Sequence, residues 1–232
     1  MYNSVLVYPV CPFYSKPHLN AELMGYTCKA YMCHQNLLLG SGKLSFDELW
    51  RRLPFNTDLC AANAQISLRK FPTTSGLHYF YIHNMFENAH LDNCTALLSM
   101  DKDEKYDIMG PFLKESKCTL LKDIRAKSSS STPIDYLVVR GTDNKVLRHH
   151  QSLFDSTKEA KIEACQINVV IDAPRRSREP LFQSFIDDLM IGGKYLIMGA
   201  IRDSPSLRIN IFLVNTNLDY CTKRYLNRFT LD

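Results

Sequence analysis

The residues best suited to chemistry in this chain are arginines. Arg175, Arg176 and Arg178 crowd into one loop bounded by Pro174 and Pro180, and a guanidinium offers a rigid fork of donors that matches phosphate oxygens. Arg202 and Arg208 flank the turn Asp203-Ser-Pro-Ser206, while Arg140, Lys145 and Arg148 edge an earlier loop. Together these side chains describe a basic rim fit for nucleic-acid phosphates, with a merely solvated surface as the plain alternative. Tyr136, Tyr195 and Phe212 are candidate stacking rings, with core packing the favoured role for each. Tyr79-Phe80-Tyr81 puts rings on both faces of one strand, so at least one is expected at the surface or under a partner. Tyr225, Leu226 and Phe229 fall at helical spacing within Tyr220 to Phe229 and form a candidate segment for packing on a partner protein.

Enzyme chemistry finds little support. The chain contains no Gly-x-x-x-x-Gly-Lys loop, Gly-x-Ser-x-Gly elbow or His-Glu-x-x-His helix, so the phosphate cradle, the strained nucleophile turn and the zinc-protease face all lack their residue types. Adjacent His149 and His150 point different ways in a loop, and neither they nor His34 have a carboxylate at known distance to make them acids or bases. Cys28 with Cys33-His34 is the nearest thing to a metal knuckle, yet no second pair sits at ligand spacing. Neither metal, cofactor nor small-molecule substrate is expected. The eight cysteines, at 11, 28, 33, 60, 94, 118, 165 and 221, are even in number, but several sit in apolar strand-like runs where a free thiol behaves as a small hydrophobe. Free thiols in a reducing compartment are the expectation. Asn93-Cys94-Thr95 fits the glycosylation pattern formally, which matters only in the secretory pathway.

Composition and charge narrow the classes. With 45% apolar and 22% charged residues, nine glycines and ten prolines, the chain is ordinary for a packed globular protein and neither disordered nor collagenous. The net charge is +4, and residues 118–232 carry all of it, with 17 basic against 13 acidic side chains; a polyanion would meet that half. No apolar run approaches the roughly 18 residues that span a bilayer, and no basic segment precedes Val5 to Val10. A soluble, non-secreted protein is expected.

The elements that must position these groups read in a repeated order. Ser45 caps a helix whose Phe46, Leu49, Trp50 and Leu53 make an i, i+3, i+4, i+7 stripe, with Glu48 closing a capping box and Pro54 stopping it. Strands are expected before it at Val5 to Cys11, Tyr26 to Cys33 and Asn36 to Leu39, and after it at Gln65 to Phe71 and Leu77 to His83. Phe112 to Ile124 has helical apolar spacing, and Ser128 to Ser131 is a loop. Beyond it, Ile134 to Arg140 and Lys161 to Asp172 read as strands, the latter with Cys165, Ile167, Val169 and Ile171 on one face and Gln166, Asn168 and Asp172 on the other. Phe182, Phe185, Ile186 and Leu189 form a second helical stripe ended by Gly192-Gly193. A hairpin from Lys194 to Arg202 and Leu207 to Val214 follows.

Strand, strand, helix, glycine, hairpin is the order of a five-stranded oligonucleotide/oligosaccharide-binding (OB) barrel. Leu189-Met-Ile-Gly-Gly-Lys-Tyr-Leu-Ile-Met-Gly-Ala-Ile followed by Leu207-Arg-Ile-Asn-Ile-Phe-Leu-Val resembles the last third of OB domains in genome-maintenance proteins: the replication protein A middle subunit, the small RecQ-mediated instability subunits and the telomere end-protection proteins. Cys118-Thr-Leu-Leu-Lys-Asp-Ile is similar to the lead-in of the telomere family. Gly193-Lys-Tyr-Leu-Ile-Met-Gly is also similar to netrin-like modules, which depend on disulfides. The resemblance implies an α+β, β-rich chain of tandem small five-stranded OB-like barrels, with domains at 1–100 and 132–232 joined by a linker at 101–131. It implies a non-catalytic nuclear subunit that docks to another OB-fold protein and binds single-stranded DNA in telomere capping. The alternative is a protein-protein interaction scaffold without nucleic-acid binding, of netrin-like or viral accessory type.

Overall fold

The computed structural model describes residues 11, 21–39, 44–73, 78–82, 94–99, 112, 118–121, 133–140, 146–147, 163–203 and 207–226. They make an α+β arrangement of four helices and two sheets, one of two strands and one of six.

The N-terminal part is more helical than its sequence suggests. Helix α1, Ala21–His34, occupies the stretch expected as a strand and runs on into a π-turn at Gln35–Leu39. Its buried Leu23, Thr27, Ala30, Tyr31 and His34 recur at three- and four-residue steps, a helical stripe that aromatic and small residues had masked. The expected strand at Val5 to Cys11 lies outside the described residues except for Cys11. Helix α2, Phe46–Ala61, begins at the Ser45–Glu48 capping box but passes through Pro54 instead of stopping there. An interior proline costs about 3 kcal/mol; burial of Leu53, Asn56, Thr57 and Cys60 on one face, and the Cys33–Cys60 disulfide to α1, offset it.

Strands β1, Leu68–Pro72, and β2, His78–Ile82, pair antiparallel. The large sheet holds β3, Thr95–Ser99; β4, Thr119–Leu120; β5, Ile134–Arg140; β6, Ala164–Asp172; β7, Tyr195–Asp203; and β8, Arg208–Asn215, in the order β4-β3-β5-β6-β8-β7. Strands β4, β3, β5 and β6 are mutually parallel, while β8 runs antiparallel to both β6 and β7. The hairpin expected to close a barrel therefore lies in an open layer beside parallel neighbours. Leu120, expected in a helix, is in strand β4. Strand β3 comes from before the expected 101–131 linker and β5 from after it, yet they are hydrogen-bonded neighbours.

Parallel strands are stable only when both faces are covered, and both are. On one face Leu97, Leu137, Val139, Ile167, Val169, Ile211 and Leu213 pack under α2 and under α3, Glu179–Gly192, through Leu49, Trp50, Leu53, Phe182, Phe185 and Ile186. Helix α3 ends at Gly193, whose φ of 56° is left-handed. It is the helix that the expected barrel order places before the hairpin, and here its stripe packs on the open sheet. On the other face Tyr136, Val138, Phe212, Val214 and Leu196 meet α1 and the β1–β2 hairpin.

That second face is where the polar positions of β6 acquire a purpose. The outer edge of β2 would leave backbone groups buried and unpaired, and side chains of the large sheet take them up. Phe80 N–H donates to Asn168 Oδ1 at 2.9 Å, and Phe80 C=O accepts from Asn168 Nδ2 at 2.9 Å and from the Tyr136 hydroxyl at 3.1 Å. Ile82 N–H donates to Gln166 Oε1 at 2.9 Å, and Asn210 Nδ2 donates to His78 C=O at 2.7 Å. The Phe80 ring lies over Gly199, where an added Cβ would come within 2.9 Å of it. Replacing Asn168 by Leu should lower stability by roughly 3 kcal/mol, because the buried Phe80 N–H loses its acceptor, Phe80 C=O loses one of its two donors and Asn210 Nδ2 loses one of its acceptors; the midpoint of urea unfolding measures this.

One end of the sheet is tied down covalently. Cys94–Cys118 joins the starts of β3 and β4, and Cys165–Cys221 joins the start of β6 to helix α4, Asp219–Cys221, which continues as a π-turn at Thr222–Leu226. With Cys11–Cys28 and Cys33–Cys60, all eight cysteines are paired. This corrects the expectation of free thiols: apolar surroundings bury disulfides as readily as thiols. The unreduced, denatured protein should show no reactive thiol with a colorimetric reagent. Replacing both Cys165 and Cys221 by alanine, which opens a crosslink across a sequence separation of 56, should cost roughly 4 kcal/mol.

The edge strand β7 carries a bulge between Ile197 and Gly199, and His34 fills the gap in pairing, its Nε2 donating to Ile197 C=O at 2.8 Å. Burial holds the imidazole neutral, with a pKa lowered from 6.5 to about 4 against the opposing effect of that hydrogen bond. Between those values the unfolded chain binds the proton and the folded one does not, so stability falls as pH drops from about 6.5 toward 4, by about 3 kcal/mol in all. In His34→Gln that part of the acid slope should vanish when unfolding is followed from pH 7 to pH 4.

Candidate functional site

In open sheets of parallel strands, ligands lie outside the carboxyl ends of the strands, where the strand order reverses. Here the order reverses between β3 and β5: β3 leads to β4 on one side, and β5 and β6 follow on the other. Strand β7, antiparallel to β8, points the same way as β6. The carboxyl ends are therefore Ser99, Arg140, Asp172 and Asp203, and β8 starts at this edge with Arg208.

This edge gathers the described arginines that the sequence singles out. Arg140 ends β5, Arg175 to Arg178 follow β6, Arg202 is next to last in β7, and Arg208 opens β8. What joins them is Asp172, a residue the sequence reading placed on a polar face without a role. Its Oδ1 accepts from Arg140 Nη2 at 3.5 Å and is ion-paired with Arg208 Nε at 3.5 Å, and the register sets it directly opposite Arg208. Ala173 N–H donates to Leu207 C=O at 2.8 Å, so the arginine loop and the β7–β8 turn leave the sheet side by side.

The loop itself is stiff. After extended Arg175, residues Arg176–Arg178 form a single 3₁₀ turn, with Arg178 N–H bonded to Arg175 C=O at 2.6 Å, and Pro180 then starts α3. Arg175 and Arg176 are exposed, Arg178 is half-buried, and Arg202 is exposed on its strand. Six arginines thus face three carboxylates, Asp172, Glu179 and Asp203, along the described edge. The arrangement can hold more than one anionic group: the Asp172 pair is a fixed centre, and Arg175, Arg176 and Arg202 supply forks directed at solvent. Lys145 and Arg148 lie outside the described residues.

The rings go elsewhere. Tyr136, Tyr195 and Phe212 are at most 1% exposed, so none is a stacking platform. Tyr79, Phe80 and Tyr81 are 2%, 1% and 6% exposed, because β2 lies within the chain's own core, with Phe80 against Phe212 of the large sheet and Tyr79 and Tyr81 against Phe71. Tyr225 and Leu226 are buried at 3% each, packed on the chain's own sheet, and Phe229 lies outside the described residues. The possible metal knuckle is unavailable as thiolates, since Cys28 and Cys33 belong to two disulfides.

A second polar cluster sits at the opposite, amino edge, and its chemistry is structural. Asp135 is 1% exposed; its Oδ1 accepts from Tyr225 at 2.6 Å and Tyr220 at 3.1 Å and is ion-paired with Arg224 Nε at 3.1 Å, and its Oδ2 accepts from Thr95 N–H at 2.8 Å. Burial and the Asp135 charge raise the Tyr220 hydroxyl to about 12 and push Tyr225 higher still. A carboxylate this saturated has no free oxygen for a ligand. Family models, curated proteins and solved structures offer no match to this chain, so the carboxyl edge stands on its geometry alone.

Proposed function

We propose that this chain is a non-catalytic binding domain built on a methyltransferase-like, doubly wound sheet, that it works in an oxidising compartment, and that it binds an anionic ligand across its carboxyl edge. The observation that carries the reading is the convergence of Arg140, Arg175, Arg176, Arg178, Arg202 and Arg208 on the one edge where such sheets bind ligands. Four disulfides supply the compartment, since paired cysteines persist where thiols are not kept reduced.

The strand order supports a second reading. Parallel strands ending in a hairpin whose last strand is inserted in reverse beside β6 follow the pattern of S-adenosylmethionine-dependent methyltransferases, a fold-level analogy that does not by itself assign an activity. Close approach of a nucleotide after the first parallel strand calls for glycine there, and the first glycine after β3 is Gly110, eleven residues past Ser99. The earlier expectation, a nuclear telomere-capping subunit that holds single-stranded DNA beside another OB-fold protein, draws on the same arginines. Buried rings and the open sheet give it less support than a site for anions alone.

Thermal unfolding in sodium pyrophosphate, compared with sodium chloride at matched ionic strength, tests the proposal. Pyrophosphate at ten times its Kd should add about 1.4 kcal/mol, roughly 3–6 °C in Tm. In Arg175→Ala/Arg176→Ala, which is exposed and should itself change stability by less than about 0.5 kcal/mol, most of that rise should be lost. Equal protection of both proteins, or none, overturns the edge assignment, while saturable binding of S-adenosylmethionine would favour the transferase reading.

A further inference from the structure

We infer that the anionic ligand is a sulfated polysaccharide chain running along the carboxyl edge from the Arg175–Arg176 loop to Arg202. The inference rests on the edge being an anion site and adds the class of ligand. Three observations on different levels point to it.

The first is spacing. Strand β8 lies between β6 and β7, so the strand ends from which the two exposed arginine groups extend are two strand spacings apart, about 10 Å. Asp172 pins Arg140 and Arg208 from the middle of that span and keeps them from swinging out to share one small anion with the flanks. Separate anionic groups on a repeating chain fit such a row better than one compact phosphate.

The second is residue type. The described part of the edge, Ser99, Arg140, Asp172 to Arg178, Arg202, Asp203, Leu207 and Arg208, contains no lysine and no aromatic ring. Guanidinium forks pair with two oxygens of a sulfate, phosphate or carboxylate alike, whereas a single-stranded nucleic acid also gains about 1–3 kcal/mol per base from rings to stack on. A sulfated sugar polymer has charge to offer and no bases to place. The exposed apolar neighbour is Leu207, 60% exposed at a φ of 49° in the hairpin turn, which suits the apolar face of a sugar ring.

The third is the compartment. Eight paired cysteines belong to an oxidising milieu, where the abundant anionic polymers are sulfated and carboxylated glycans rather than nucleic acids.

The test uses the intact, disulfide-bonded chain and heparin oligosaccharides of graded length, with fully desulfated heparin and single-stranded DNA of equal contour length as comparators. Affinity should rise with length until the chain covers both arginine groups and then level off. It should fall at least tenfold on desulfation, and fall with salt in the manner of released counterions. In Arg175→Ala/Arg176→Ala and in Arg202→Ala the salt slope should drop, by about two and about one contact respectively, while Arg69→Ala, away from the edge, should bind as the parent does. Equal binding of desulfated heparin, tighter binding of the DNA, or salt slopes unchanged in both edge variants would overturn the glycan assignment. If pyrophosphate still protects the protein through Arg175 and Arg176 but no heparin oligosaccharide binds, the polysaccharide is rejected and the anion site is retained.

Discussion

The amide of Asn168 has two donor and two acceptor positions, and the fold uses all of them. It accepts from Phe80 N–H and Asn210 Nδ2 and donates to Phe80 C=O and the Tyr136 hydroxyl. This side chain sits at 0% exposure in the middle of the central strand, with a parallel neighbour on one side and an antiparallel one on the other. Buried amides are costly unless every position is filled; here the filling group is the edge of another sheet. A strand edge left bare invites pairing with other chains. By turning the outer edge of β2 onto Asn168, Gln166 and Asn210, the chain caps that edge and covers the sheet face that a helix would otherwise cover. The arginine edge depends on this, because it exists only if β6 stays parallel to β5 and level with β8.

The two ends of the sheet are treated oppositely. At the amino edge, two disulfides and the saturated Asp135 cluster fix β3, β4, β5, β6 and the C-terminal turns to one another. At the carboxyl edge, Arg140 and Arg208 meet at Asp172, and a backbone bond joins Ala173 to Leu207. Covalent anchoring at the amino edge helps the sheet to tolerate the repulsion among the six arginines at the other.

Much of this was legible in the sequence, and the failures have identifiable causes. The Ser45–Glu48 cap, the stripe of α3, the stop at Gly193, the hairpins and the strands at β5 and β6 follow from local periodicity and turn chemistry, and they are present. Their assembly was not legible, since a hairpin after a helix is compatible with a barrel and with the reversed edge of an open sheet, and only long-range pairing distinguishes them. Helix α1 was missed because Tyr26 to Cys33 is short and apolar, where period 2 and period 3.6 cannot be told apart. Pro54 misled because the stop rule is local, whereas the burial and the disulfide that carry α2 past it are not. The alternation of Gln166, Asn168 and Asp172 did signal a polar face on β6; what it could not reveal is that the first two face a buried hairpin and the third faces the rim.

The position of Asp172 finally explains why the basic residues, scattered over 69 positions from Arg140 to Arg208, act as one surface. Two guanidinium groups directed at the same few ångströms repel, and an exposed pair of this kind would splay into solvent at a cost in side-chain freedom when a ligand recaptured it. A carboxylate oxygen shared by Arg140 and Arg208 reduces that cost beforehand, because it holds both side chains in place before a ligand arrives, which is what a pre-organised anion site requires.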